Sequence, residues 1–291
     1  MPVSVLVPSS LVREAEDKRE ATRKLGYVAR AATIFRADRL VVFPDREGEP
    51  TGPLDGGFVE TVLRYAATPP YLRTEAWGER DELEYAGVLP PLGALSQTGS
   101  ESNGSGSLRQ GIVTEVGPEG RVRVNCGLQH PIALNVPAEM SAAEGERVTV
   151  RISSRRPVRA KLVDGPLPGL SVERTDLSAA LGREDAGVTI ASSRYGERLT
   201  VGRLETLAGC VDRDGMTVAF GAPERGLPEI LGIETSAVAS PKDAGDGDER
   251  VEPTGDPGFD LWLNTVPDQG SEVVRTEEAM FATLACLSLR T

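Results

Sequence analysis

The run VSVLVP at residues 3–8 is apolar almost without a break, which predicts a short buried strand. From about Arg13 to Ala37 the spacing changes to threes and fours. Ala21, Leu25, Val28, Ala32 and Phe35 recur on one helical face, and the helix's other face carries Arg13, Lys18, Arg19, Arg23, Lys24 and Arg30. RLVVF (39–43) predicts a second strand, and GGFVETVLRYAAT (56–68) a helix stopped by Pro69 and Pro70. Strand, helix, strand, helix is the signature of an α/β layer with a largely parallel sheet.

The texture then shifts. SQTGSESNGSGS (96–107) has the composition of a polar linker. After it, QGIVTEV, RVRVNCG, PIALNV, RVTVRIS and RAKLVD alternate apolar and polar positions between Gly, Pro and Glu turns. That spacing predicts a small β-barrel over 108–165, OB-like in strand count. The α/β pattern returns with a strand at 187–193 (GVTIASS), a helix at 197–209 and a strand at 216–221 (MTVAFG). PERGLPEIL (223–231) opens another helix with an early proline. Residues 236–258 are acidic and rich in Pro, Gly and Asp, which predicts a mobile loop. FDLWLNTVP (259–267) reads as a strand and RTEEAMFATLACLSL (275–289) as a closing amphipathic helix. The expected organisation is one α/β domain split by the barrel: 1–95, a linker at 96–107, the barrel at 108–165, and 166–291.

Composition changes this picture in two ways. The net charge is −12, and the only lysines are Lys18, Lys24, Lys161 and Lys242 against many arginines. Such a carboxylate-rich, lysine-poor surface points to a salt-loving source. Net negative charge ordinarily counts against a nucleic-acid partner, so the distribution of arginines matters more than their sum. Two basic stripes stand out. One is the N-terminal helix face, with Arg19, Arg23, Lys24 and Arg30; the other is Arg151, Arg155, Arg156, Arg159 and Lys161 late in the barrel. Arginine forks suit phosphates, and the alternative is pairing with surface carboxylates. Cys126, Cys210, Cys286 and the single histidine, His130, have no metal-ligand spacing, so no metal is expected. Each cysteine reads as a small buried hydrophobe in preference to a nucleophile. No apolar run is long enough to span a bilayer, and MPVSVLVPSS lacks the features of a secretory signal, so the expectation is a cytoplasmic protein with no membrane partner.

No G-x-G-x-x-G, P-loop or G-x-S-x-G is present. Three turns at strand ends remain: ASSRYG, FGAPERGL and NTVPDQGSEVVRTEEA. Ligands of open α/β sheets collect at the carboxyl ends of strands. These segments resemble the three cofactor-loop motifs of the SPOUT superfamily of RNA methyltransferases. SVLVPSSL with KREATRKLGYVARAATIFRADRLVVF narrows the resemblance to an archaeal and eukaryotic branch of RNA uridine-N3 methyltransferases, in which a β-barrel interrupts the catalytic domain. The resemblance spans nearly the whole chain. It departs where relatives carry a Pro-His-His stretch and this chain has ALSQTGS (94–100).

The resemblance implies a SPOUT α/β-knot, a deep C-terminal trefoil knot on a mostly parallel sheet, with the barrel inserted. It also implies S-adenosyl-L-methionine as cofactor, a homodimer, and an RNA substrate, ribosomal RNA foremost. Cofactor contacts then fall to Arg194, Gly221, Glu224, Gly226, Asn264, Thr265, Val266, Gln269 and Gly270. Glycines make sense where backbone must approach a ligand closely. Arg194 and Glu224 are alternatively partners in a loop ion pair, and Asn264 alternatively caps a turn. Methylation at uracil N3 leaves negative charge on the ring, for which Arg275 is the leading stabiliser and Arg194 the second. Glu278 is a candidate proton acceptor, or a capping partner in the first helical turn. The competing readings are a non-catalytic RNA-binding or ribosome-assembly factor that keeps the fold, and a methyltransferase of another acceptor.

Overall fold

The computed structural model describes residues 2–50, 52–55, 57–93, 106–118, 120–238 and 258–289. Apart from their ends, the expected linker (96–107) and acidic loop (236–258) lie outside these residues, as does ALSQTGS (94–100). The chain divides into two compact units. One falls within Met1–Arg64, Glu82–Leu92 and Val172–Thr291, the other within Tyr65–Asp81 and Gly93–Ser171.

The first unit begins with β1 (Val3–Pro8), α1 (Lys18–Ile34) and β2 (Arg39–Phe43), followed by α2 (Phe58–Ala67), whose last residues enter the second unit. α1 starts later than the apolar spacing predicts because the Asp17 carboxylate caps it, accepting from the Glu20 N–H at 2.7 Å. The second unit holds α3 (Arg73–Ala76) and five strands: β3 (Ser107–Val116), β4 (Arg121–Asn125), β5 (Ile132–Asn135), β6 (Arg147–Arg155) and β7 (Val158–Val163). The chain then builds β8 (Ser171–Arg174), α4 (Leu177–Leu181), β9 (Val188–Arg198), α5 (Val201–Asp214), β10 (Met216–Ala219), α6 (Leu227–Leu231), α7 (Thr235–Val238), β11 (Leu261–Asn264) and α8 (Thr276–Leu287).

The sheet of the first unit has the order β11-β9-β10-β1-β2-β8, and the four ladders from β11 to β2 are parallel. Strands with both faces covered need continuous apolar runs, which is why VSVLVP and RLVVF read as they do. Leu6, Val41, Phe43, Ala191 and Ala219 pack on one face with Leu177, Leu181, Leu227 and the edge-to-face pair Phe259–Trp262. Elsewhere in this unit α1 packs against α8, with Phe35 edge-on to Phe281 at 6.1 Å.

In the second unit the sheet order is β5-β4-β3-β6-β7, every ladder antiparallel, in a nearly closed barrel-like form. Its core is Val113, Val122, Val124, Cys126, Val148, Val150, Ile152 and Leu162. The alternation in RVRVN and RVTVRIS places these residues inward by the two-residue period of a pleat.

Two further boundaries differ from expectation for a physical reason. β9 runs on to Arg198 because Glu197 and Arg198 pair with β11, and α5 therefore begins only at Val201, capped by Thr200. α6 begins at Leu227 because Ala222–Arg225 closes a tight turn first, with hydrogen bonds in both directions between Ala222 and Arg225.

Candidate functional site

A cavity of about 260 Å³ opens in the first unit where β9, β10 and β11 end or break. Its first wall is an excursion from β9. Ile190 and Ala191 pair with Leu261 and Trp262, and then Glu197 and Arg198 pair with Leu263 and Asn264. Residues 192–196 leave the ladder between these two pairings, as bulges do when a strand must re-aim its side chains. Gly196 makes the return possible, since a Cβ there would come within 2.6 Å of the Leu263 nitrogen. Asn264 Nδ2 donates to the Arg194 carbonyl at 3.0 Å, tying the excursion to the end of β11.

The second wall follows β10. Gly221 is obligatory on steric grounds: a Cβ would lie 2.8 Å from the Leu227 nitrogen and 2.9 Å from the Gly226 Cα. In the Ala222–Arg225 turn, Glu224 takes φ +58°, a left-handed conformation that is strained for a side chain of its size. Behind this turn, Arg225 is buried and grips Asp45 with two donors, Nε at 3.0 Å and Nη2 at 3.2 Å. Its remaining bonds go to Glu47 (3.2 Å) and Glu229 (2.7 Å). The Asp45 carboxylate is buried too, accepts from the Ser10 hydroxyl, and raises the Arg225 pKa above its already high ordinary value.

The third wall is Thr265–Ala279. The Asn264 carboxamide oxygen accepts from the Val266 N–H at 3.0 Å, so Asn264 both caps its own turn and joins two walls. Thr265 and the fully buried Thr283 share a hydroxyl hydrogen bond of 2.7 Å. Thr276 Oγ1 donates to the Gly221 carbonyl at 2.8 Å, which fixes the start of α8 to the second wall. Gln269 Nε2 closes the loop on itself through the Ser271 and Glu272 carbonyls.

Of the residues expected to hold a cofactor, Arg194, Gly221, Glu224, Gly226, Asn264, Thr265, Val266 and Gln269 all line this cavity, and Gly270 does not. Arg194 forms no ion pair with Glu224. Its Nη2 instead donates to the Tyr195 hydroxyl at 2.7 Å, and its guanidinium lies 4.8 Å from that ring's centroid. Arg275 and Glu278 are exposed and outside the lining. Arg275 is the N-cap residue of α8, and Glu278 Oε2 accepts from the Arg275 N–H at 2.9 Å, a helix-capping role. Beside them Glu277 is buried with one carboxylate oxygen unpartnered, and burial raises its pKa.

The basic stripes are placed unevenly. Arg19 and Arg23 are exposed on α1, whereas Arg30 donates to the Pro91 and Leu92 carbonyls. Lys24 is buried against Glu14 rather than exposed. It lies three residues after Ala21 and four before Val28, and turns inward with them. In the second unit, Arg151, Arg159 and Lys161 line a cleft of about 700 Å³ between β5 and β7, with Ile132, Leu134 and Val158. Arg155 and Arg156 are exposed near the β6–β7 turn, outside that cleft. Cys126 is a buried core residue whose thiol pKa is raised by burial, and His130 is exposed. Among the described residues no group of His, Cys, Asp or Glu could hold a metal ion, and no helix is long and apolar enough to cross a membrane.

Sequence reasoning missed Asp45, Arg225, Thr276, Thr283 and Tyr195. Asp45 carried a signal, an acid just past the carboxyl end of β2. Thr283 carried another, a hydroxyl on an apolar helix face.

Comparison with known proteins places the chain in a family. The chain is 69% identical to an uncharacterised protein of Haloarcula marismortui, over 99% of both chains. It is 29% identical to the 28S rRNA (uridine-N(3))-methyltransferase of Homo sapiens, covering 98% of this chain and 77% of the human protein. The protein of the same name from Drosophila melanogaster is 26% identical over 98% of this chain and 61% of its own length. A family model described as "Putative RNA methyltransferase" matches residues 2–287, and the chain belongs to that family of RNA methyltransferases.

Proposed function

We propose that this chain is a SPOUT-class enzyme that methylates N3 of a uridine in ribosomal RNA, with S-adenosyl-L-methionine as donor. The observation that carries the reading is the cavity at the carboxyl ends of β9, β10 and β11, walled by the three segments that resemble SPOUT cofactor loops. The residues fit such a cofactor. Phe220, Leu227, Val266 and Val274 offer an apolar surface to an adenine, and Gly226 lines the cavity with no side chain to block a close approach, while Gly221 lacks one because the Gly226 and Leu227 backbone fills that space. The deep knot of the SPOUT class belongs to this proposal.

Bound there, the cofactor supplies a methyl group already activated on a sulfonium. What the protein adds is alignment of the acceptor and control of its charge. Arg194 in the cavity lining, with Arg275 at the N-cap of α8 as the second cation, would stabilise the negative charge that develops on uracil as N3 loses its proton. Glu278 Oε2 is engaged in the helix cap, so its service as proton acceptor requires that bond to open. RNA would be held by the OB-like barrel through Arg151, Arg155, Arg156, Arg159 and Lys161, and by Arg19 and Arg23 on α1. The exposed Tyr27 and Ile34 of α1 and Leu289 after α8 support pairing with a second copy, as a SPOUT homodimer requires. The reaction is assigned to the cytoplasm.

The test is labelled S-adenosylmethionine with unmodified large ribosomal RNA in molar potassium chloride, followed by nucleoside analysis. Label in 3-methyluridine, sharply reduced in Arg194→Ala, is the expected result. Cofactor binding without transfer to any RNA would favour the non-catalytic reading, and label on a ribose would move the acceptor from N3.

A further inference from the structure

We infer that Tyr195 is the platform on which the acceptor base stacks, on the ring face opposite the Arg194 guanidinium; this rests on the methyltransferase reading of the same cavity. Aromatic residues make up only 4% of the chain. Of the large hydrophobic side chains that are exposed among the described residues, Tyr195 is the one that lines this cavity, with 39% of its surface open to solvent.

The ring is not exposed through looseness of its backbone. The Tyr195 N–H donates to Ser193 Oγ at 3.2 Å, the Arg194 carbonyl accepts from Asn264, and Gly196 is pressed against the Trp262–Leu263 backbone. The excursion therefore holds an apolar face in water at the cavity rim, where it has no core to fill. A nucleobase has the complementary requirement. An unstacked base seeks an aromatic face, and stacking on tyrosine or on a guanidinium plane is the usual way proteins hold a single base.

Arg194 completes the site. Its guanidinium sits 4.8 Å from the ring centroid and donates to the ring's hydroxyl, with no carboxylate partner among the described residues. Its positive charge is thereby held close to any base stacked at this ring. In uracil O2 and O4, on either side of N3, take up the charge when N3 is deprotonated, and a nearby cation favours that state. The platform accordingly selects a nucleotide already flipped or looped out of its helix, because a paired base presents no free face.

The experiment compares wild type, Tyr195→Ala and Tyr195→Phe in molar potassium chloride. It reads KM for ribosomal RNA, Kd for S-adenosylmethionine, and Kd for a short oligouridylate on protein saturated with S-adenosylhomocysteine. Tyr195→Ala should raise KM for RNA and Kd for the oligonucleotide roughly tenfold or more, while cofactor Kd stays unchanged. Tyr195→Phe keeps the ring and should recover most of that loss. An unchanged RNA KM in Tyr195→Ala overturns the platform while leaving the enzyme reading intact. Equal losses in cofactor and RNA affinity overturn it too, since the ring would then be cofactor wall. If the wild type transfers no methyl group yet loses oligouridylate affinity on Tyr195→Ala, the platform stands and the methyl-transfer reading falls. Absence of oligouridylate binding by the wild type overturns the platform.

Discussion

A cavity in each of the two units invites comparison, for the two are built on opposite principles. The cavity of the parallel sheet is defined by backbone: Gly221 against Leu227, the Asn264 cross-tie, and Thr276 on the Gly221 carbonyl. The cleft of the barrel is defined by the side chains of Arg151, Arg159 and Lys161 over an apolar floor. A backbone-walled site fixes shape, and one added carbon atom is felt in full. A site of charged side chains fixes potential, so its strength is spread over several residues and answers to salt. The contrast separates a site that selects by shape from one that selects by charge.

The sharpest way to break the comparison is at Asp45. Asp45→Asn leaves the buried Arg225 facing a neutral amide, and stability should fall by about 3 kcal/mol, because the partners that remain, Glu47 and Glu229, are largely exposed. Urea unfolding measures this, and a loss under about 1 kcal/mol would show that the pair does not brace the second wall. Next, Gly221→Ala drives a Cβ into the Gly226–Leu227 backbone, so the second wall must shift; cofactor binding should weaken roughly tenfold in calorimetry, with a loss of about 1–3 kcal/mol in stability from overpacking. Unchanged affinity would mean that the wall yields, and the claim of a rigid backbone site would fail.

The barrel should behave differently. Replacing Arg151, Arg159 and Lys161 together by glutamine should lower the slope of log affinity against log salt by about 2, at about 0.7 per cation for a single strand. Cofactor affinity should not move. A slope equal to the wild type's would remove these side chains from the RNA contact. The smallest effect belongs to Glu277. Its folded pKa is raised by burial, so the folded state binds more protons than the unfolded one between the two values, and stability falls as pH rises through that window. Glu277→Gln should therefore melt above wild type at neutral pH, with the gain closing as pH drops into the ordinary glutamate range. A melting temperature below wild type at pH 7 would mean that the charge is welcome there, through Lys24 or Arg275.

Much of this was legible in the sequence, and the reasons are specific. VSVLVP and RLVVF could be read because buried parallel strands leave no room for polar positions. The barrel strands could be read because one face is wet and the period is two. The three cavity walls were found from glycine- and proline-bearing turns together with family resemblance. What escaped were features set by distance in space. Arg225 and Asp45 are 180 positions apart, and no local pattern joins them. The length of β9 was misjudged because Glu197 and Arg198 look helical until β11 is placed alongside. Lys24 is the opposite case, since its spacing from Ala21 and Val28 puts it on the inward face, whatever its charge.

The excursion in β9 has one more consequence. Trp262 and Leu263 are adjacent, yet their partners Ala191 and Glu197 are six positions apart, so the ladder is indifferent to how much chain lies between them. Residues can be added to or removed from 192–196 without sliding either strand out of register. The second wall has no such freedom, because Gly221 is keyed to Leu227 on one side and to Thr276 on the other. A change in the length of the first wall is therefore absorbed where it occurs, whereas a change in the second is passed on to the whole cavity.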